Sequence, residues 1–307
     1  MPIEKSPLVT AVIPTRNRPE FVQHAVASAL GQTFNNLEVV VVIDGPDPAT
    51  EAALRAVSDS RLRVLVLPEH VGGSGARNAG VCAAHGEWIA FLDDDDEWLP
   101  QKVNQQVAVA RNSAFEYPIV SSQVIARTPD GDHIWPRRRP EQPLSEYLFA
   151  RNSWSYGEGV LQTTTLFAPK ELFLRCGFTA GLKRYQDWDW LLRSIQQPGA
   201  GLEFIAEPLA IWQIERSRPS VSRTFDWEFS VGWIRRNKDR VTPRAYAGFI
   251  AATVASEASA QRAWRAFLGL LWEMSRNGAP KLFDYALYLG MWLPAGLRRR
   301  LARLLSR

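Results

Sequence analysis

A chain of 307 residues, 46% hydrophobic and 22% charged, can bury a full-sized core, which excludes a disordered or fibrous protein. Two cysteines, Cys82 and Cys176, make no disulfide framework and show no metal-ligand spacing, so a reducing, cytoplasmic compartment is expected and a secreted disulfide scaffold is not. The net charge of +4 hides an asymmetry: residues 223–307 hold 15 Lys/Arg against 6 Asp/Glu, leaving 21 and 26 for residues 1–222, an acidic body with a basic tail.

Met1 to Pro7 is polar and runs straight into a strand-like segment, so no secretory signal is expected. Leu8–Ile13 is predicted as a first strand, ended by Pro14. Asn17, Pro19 and Glu20 mark a helix start. That helix carries Phe21, Val22, Ala25, Val26, Ala29 and Leu30 at helical spacing. Leu37–Ile43 is a second, β-branched strand that reads as buried on both faces. It breaks at Asp44-Gly45-Pro46-Asp47, before a helix opened by Pro48. Leu62–Leu67 is a third strand. After Gly72-Gly73-Ser74-Gly75 a helix carries Ala76, Arg77, Asn78 and Val81. Trp88–Leu92 is the fourth strand, and it leads into four consecutive aspartates, Asp93 to Asp96.

This alternation predicts an α/β fold with a mostly parallel sheet flanked by helices. Ligands of such sheets bind outside the carboxyl ends of the strands. Pro14-Thr15-Arg16-Asn17, Asp44, the glycine segment and the aspartate run all fall on that edge. Alone, the acidic run is either a solvated turn capping a helix or a set of oxygen ligands for a hard ion such as Mg2+ or Mn2+. The glycines lack a P-loop lysine and miss the dinucleotide spacing. They either permit a tight turn or start a helix that faces an anion with Arg77.

Beyond Pro100 the expectation is a helix over 101–112, a strand over 119–125, a turn at 129–132 and a basic loop triplet, Arg137-Arg138-Arg139. Gln162–Phe167 reads as a strand and Pro169–Cys176 as a short helix. Gln186-Asp187-Trp188-Asp189-Trp190 opens another helix. Asp187 and Asp189, two apart, do not share a face: one either caps the helix start or pairs with Arg193, the other presents a carboxylate to substrate between two tryptophans, or else both compensate the helix dipole. Residues 223–307 read as all-helical and Trp-rich. Tyr285–Leu297 is free of charge, and residues 296–307 hold five arginines and no acid. That tail is too short to span a bilayer. It is expected to contact an anionic membrane surface, or else to pack on the core or in a homodimer.

Five blocks stand in order: Val12-Ile13-Pro14-Thr15-Arg16-Asn17-Arg18-Pro19, Val42-Ile43-Asp44-Gly45, Gly75-Ala76-Arg77-Asn78-Ala79-Gly80, Phe91 to Asp96, and Gln186-Asp187-Trp188-Asp189. Over residues 8–222 the chain resembles the family-2 inverting glycosyltransferases with the GT-A fold. The resemblance implies a catalytic domain over 1–222, a helical extension over 223–307, and transfer from a UDP-, dTDP- or GDP-sugar to a glycan or lipid-linked acceptor. It implies cell-surface polysaccharide synthesis in the cytoplasm or at the inner face of the membrane, with no nucleic-acid partner. Pro14, Thr15, Arg16 and Asn17 would line the nucleotide pocket, with Asp44 at the base or ribose and Arg77 at the base or phosphates. Asp93 and Asp94 would lie beside the donor. Asp95, with Asp93, would hold a divalent metal, Mn2+ or Mg2+. Asp187 would be the general base. Gln186, Trp188, Asp189 and Trp154 are candidates for the acceptor or sugar. Asp96 is left as a supporting or capping residue.

The chain departs from that pattern in three places. Ile43 precedes Asp44 where two acids are usual, Gln186 stands where an acid is usual, and Ile211–Glu215 supplies no histidine. Gln186 leaves the proton chemistry to Asp187. The alternatives are a nucleotide-sugar-binding scaffold without turnover and a sugar nucleotidyltransferase. Pro14-Thr15-Arg16-Asn17 lacks the basic, glycine-rich signature of the latter.

Overall fold

The computed structural model describes residues 8–141, 143–154, 157–214 and 226–293. They divide into two compact units, one drawn from Met1–Trp135 and Leu161–Arg218, the other from Pro136–Val160 and Pro219–Arg307. The second break lies close to the expected boundary at 222. Residues 136–160, expected in the catalytic domain, belong instead with the helical region.

The first unit is built on a nine-stranded sheet. Its strands are β1 (Val9–Thr15), β2 (Leu37–Ile43), β3 (Leu62–Val66), β4 (Trp88–Phe91), β5 (Glu97–Trp98), β6 (Tyr117–Thr128), β7 (Gly131–Trp135), β8 (Phe167–Pro169) and β9 (Ala200–Gln213). The order is β3-β2-β1-β4-β8-β6-β9-β5, with β7 paired to β6. The parallel half is β3-β2-β1-β4. From β8 onward the sheet is mixed: β8 is antiparallel to both β4 and β6, while β6 and β9 are parallel. The helices here are α1 (Pro19–Leu30), α2 (Pro48–Arg55), α3 (Gly72–Ala83), α4 (Lys102–Arg111), α6 (Lys170–Arg175) and α7 (Gln186–Ser194).

All seven residues of β2 are buried, as expected of a strand covered on both faces. On α1 the helical spacing buries Val22, Ala25, Val26 and Ala29 against Val9, Ala11, Ile13, Val39 and Val41. Each large apolar side chain so buried stabilises the fold by about 1.5–3 kcal/mol. Helix α3 comes in close through Gly80, where a Cβ would collide with Val12 and crowd Val42.

Three local expectations are corrected. Asn17 does not cap α1; Arg18 holds that position with no side-chain cap, and Asn17 sits at φ 52. The glycine segment is not a loop before α3 but its first turn. The strand expected at 162–167 is a short 3-10 turn, Thr163–Thr165, followed by β8.

The second unit holds α5 (Leu144–Phe149), α8 (Trp227–Arg236), α9 (Pro243–Phe249), α10 (Ala255–Ala260), α11 (Phe267–Asn277) and α12 (Leu282–Met291). Its core is aromatic: Phe149 meets Phe249 at 5.2 Å and Trp233 at 6.0 Å, both edge-on. Part of the charge-free stretch expected at a membrane turns inward, since Tyr288 is fully buried and Trp292 nearly so. The arginine-rich end, 296–307, lies outside the described residues.

Candidate active site

The expected residues converge where β1, β2 and β4 end. β1 and β4 are neighbours, so the chain leaving β4 passes beside the chain leaving β1. There the Thr15 hydroxyl donates to Asp94 Oδ2 at 2.7 Å, and Arg18 Nη1 donates to Asp94 Oδ1 at 3.0 Å. The same guanidinium nitrogen reaches Asp95 Oδ2 at 3.3 Å. Arg16 and Asn17 are exposed and Pro14 is partly buried. The Asn17 backbone N–H donates to Asp47 at 2.6 Å, which binds the two loops together.

Within the aspartate run the four side chains separate by environment. Asp94 and Asp96 are buried, whereas the Asp93 and Asp95 side chains keep 23% and 30% of their exposure. Burial pushes the Asp94 carboxyl up to about 6, against the pull of Arg18 and Thr15 and with the push of Asp95 and Asp93. Asp96 accepts from the Thr164 hydroxyl at 2.6 Å, Gln162 Nε2 at 3.3 Å and the Gln213 backbone N–H at 3.1 Å. Burial, then the charges of Asp93 and Asp95, raises its carboxyl well above the ordinary range. Asp96 therefore pins the run to β9 and the 3-10 turn, and it caps no helix.

Arg77 is the hub of the edge. It projects from α3, is almost wholly buried, donates Nη2 to Asp93 Oδ1 at 2.5 Å and Nη1 to Gln186 Oε1 at 2.8 Å. Its guanidinium lies 5.7 Å from the centre of the Phe178 ring. One arginine thus links the acidic run to the start of α7. Gln186 is itself held, because its Nε2 donates to Leu182 O at 2.7 Å.

Asp187 follows on the same helix. Burial pushes its carboxyl up to about 6, partly offset by the Trp188 backbone N–H at 2.8 Å and the charge of Arg77, while Asp93 adds to the rise. A carboxylate with this affinity for a proton, beside a clamped cation, is suited to accept a proton near neutral pH.

Other expected residues take different places. Both carboxylate oxygens of Asp44 are engaged with the chain before α3: Val71 N–H at 2.7 Å, Gly72 N–H at 3.0 Å and the His70 ring at 2.7 Å. Asp44 shapes that chain, and Gly45 at φ 98 lets the turn pass beside His70. Asp189 accepts from Thr179 at 2.7 Å and Arg193 at 2.8 Å, a buried pair that anchors α7. Trp188 stacks on Tyr185 at 5.1 Å, whereas Trp190 is core, stacked on Phe173 at 4.4 Å. Trp154 belongs to the helical unit and meets Phe283 edge-on at 5.3 Å. Arg18, Asp47, Gln162 and Thr164 were not expected at the edge. Arg18 stands inside a quoted block and was readable there; Gln162 and Thr164 carry no local signal.

Asp93 and Asp95 offer hard oxygen donors two residues apart. That donor set fits Mg2+ or Mn2+, which bind through one or two carboxylates and complete their shell with phosphate oxygens and water. Among the described residues no three His, Cys, Asp or Glu side chains converge on a metal position.

The fold is one already seen in solved structures. Over 97% of this chain and 53% of the other, it superposes on the crystal structure of S. aureus TarS with a TM-score of 0.61 at 15% identity. It also matches TarS 1–349 in complex with UDP-GlcNAc with a TM-score of 0.53, covering 92% of this chain and 79% of that one. The sheet order and the TarS match give a GT-A-type fold.

More particularly, the chain belongs to glycosyl transferase family 2, whose family model matches residues 10–189. Among its relatives, the amylovoran biosynthesis glycosyltransferase AmsB of Erwinia amylovora is 28% identical, covering 76% of this chain and 79% of its own. The putative colanic acid biosynthesis glycosyl transferase WcaA of Escherichia coli K12 is 26% identical over 90% and 96%. The succinoglycan biosynthesis protein ExoO of Rhizobium meliloti is 37% identical, but over 40% of this chain and 36% of its own length.

Proposed function

We propose that the chain transfers a sugar from a nucleoside-diphosphate sugar to a hydroxyl of a glycan or lipid-linked acceptor, with inversion, in the synthesis of a surface polysaccharide. The observation that carries this reading is the Arg77 clamp between Asp93 and Gln186, beside Asp187. The names of relatives support the setting: amylovoran for AmsB, colanic acid for WcaA. A further relative of Escherichia coli, WfgD, is named for UDP-Glc and a diphosphoundecaprenol-linked acceptor.

In this reading Arg77 meets the diphosphate, a role for which its fixed fork is suited. Asp93 and Asp95 would hold the divalent ion, which when bound stabilises charge growing on the leaving diphosphate. Thr15 and Arg18 keep the aspartate run in place through Asp94. Asp187 takes the proton from the acceptor hydroxyl as it attacks the anomeric carbon from the face opposite the diphosphate. One such displacement inverts the centre. A positioned general base contributes about 10²–10⁴-fold. Trp188 and Tyr185 would offer the stacked surface against which a sugar ring rests.

The test is turnover of UDP-, dTDP- and GDP-sugars, followed by chromatography of the released nucleoside diphosphate. Release in Mn2+ or Mg2+ that stops in EDTA, with a product of inverted anomeric configuration by proton NMR, is expected. No release from any donor in either ion, with or without a glycan acceptor, would overturn the reading.

A further inference from the structure

The helical unit carries an exposed apolar surface. Helices α11 and α12 form an antiparallel pair: Trp292 meets Trp264 at 5.4 Å and Phe267 at 5.3 Å, and the Ser275 and Tyr285 hydroxyls lie 3.2 Å apart. Each helix buries one side, through Leu270 and Met274 on α11 and Leu287 and Tyr288 on α12. On the opposite sides large apolar groups face water. Trp264, Leu268 and Trp272, four residues apart, are 56%, 73% and 58% exposed, and on α12 Leu282 and Leu289 are 87% and 54% exposed. Side chains four apart share one helical face. A row of this kind marks an interaction surface rather than a scatter of single exposed residues.

Charge identifies the partner. Three acids fall in residues 241–293, and every one is buried: Glu257 accepts from the Ser230 hydroxyl, Glu273 from Arg235 and Tyr246, and Asp284 from Arg244. Arg262, Arg265, Arg276 and Lys281 are exposed. The Arg276 guanidinium sits over the Trp272 ring at 5.2 Å. What this stretch shows to water is therefore apolar, neutral polar or cationic, with no carboxylate.

We infer that the α11–α12 pair lies on an anionic lipid surface. Trp264, Leu268 and Trp272 enter the boundary between headgroups and acyl chains, and Arg265, Arg276 and Lys281 meet headgroup phosphates. Indole rings beside guanidinium groups favour that interfacial level. The helices are 11 and 10 residues long, and no helix of the described residues is long and apolar enough to cross a membrane. The face lies in the interface and does not span the bilayer. Residues 296–307 add five arginines and no acid to the same end of the chain. A second copy is a poor occupant, because a two-fold contact of this face would set its cations against themselves with no exposed acid in residues 241–293 to pair.

The full chain is to be sedimented with vesicles of phosphatidylglycerol and phosphatidylcholine, and with pure phosphatidylcholine. Binding to the anionic vesicles that weakens in high salt is expected, with little binding to the neutral ones. Leu268→Glu with Trp272→Glu should weaken binding about tenfold or more, and Arg265→Glu with Arg276→Glu similarly. All four positions are exposed, and circular dichroism checks that each variant folds. The proposal is overturned if the full chain stays in the supernatant, or if both variants bind as the parent does. It is equally overturned if the parent is a dimer by light scattering that either variant dissociates. Donor turnover is read separately, so failure here leaves the transferase reading standing.

Discussion

Buried acids in the helical unit and acids at the sheet edge are handled in opposite ways. In the helical unit each is matched: Asp284 has Arg244, Glu273 has Arg235 and the Tyr246 hydroxyl, and Glu257 has the Ser230 hydroxyl. Arg235 holds the Glu273 carboxyl below its ordinary range. At the sheet edge three aspartates, Asp93, Asp94 and Asp95, share two arginines, Arg18 and Arg77, and burial drives Asp94 and Asp187 up to about 6. A matched acid fastens a fold. Acids in excess of their cations leave charge for a bound ion, a phosphate group or a proton to complete.

The comparison can be broken from either side. The largest effect is expected in the helical unit, where Arg244→Met strands the fully buried Asp284. A broken buried pair costs about 3–5 kcal/mol, read as a lower urea midpoint. A midpoint unchanged from the parent would show that the pair fastens nothing. At the sheet edge Arg77→Met should weaken nucleoside-diphosphate binding about 10–100-fold by calorimetry, the equivalent of one or two hydrogen bonds to a charged group. Affinity equal to the parent would remove Arg77 from the donor site.

The smallest effect is a pH dependence. The Asp94 carboxyl binds its proton more tightly folded than unfolded, so its contribution to stability is greatest below the ordinary carboxylate value and is lost as pH rises through about 6. The stability of Asp94→Asn relative to the parent should therefore rise between pH 4 and 6. A flat difference would mean that Asp94 is not shifted.

The parallel half of the sheet was legible because its signals are local. Apolar runs end in Pro14, Asp44 and Asp93, and β1, β2 and β4 follow them closely. The residues of the edge were legible for the same reason, standing in short blocks at strand ends. What could not be read is long-range. Thr164 and Gln162 reach Asp96 across 68 and 66 residues, and no local pattern announces that they will. Asn17 looked like a cap, but the competing bond to Asp47 bends the backbone there out of helical geometry. Residues 136–160 look like a loop of the first domain until α5 is seen beside α9, where Thr242 donates to Glu146. Asp187 and Asp189 look alike in sequence. Arg193, four residues on along the same helix, was readable as a partner of Asp189, whereas the approach of Thr179 is set by packing outside the helix.

The central claim is that Asp187 is the base. The direct measurement is kcat/KM for transfer between pH 4.5 and 8.5, for the parent and for Asp187→Asn, with nucleotide affinity measured alongside. In the parent the rate should climb with pH and level off above about 6, as the carboxyl loses its proton. In Asp187→Asn the rate should fall by about 10²–10⁴-fold and lose that limb, with nucleotide affinity kept. A variant that transfers within tenfold of the parent, or that keeps the limb near 6, would contradict it.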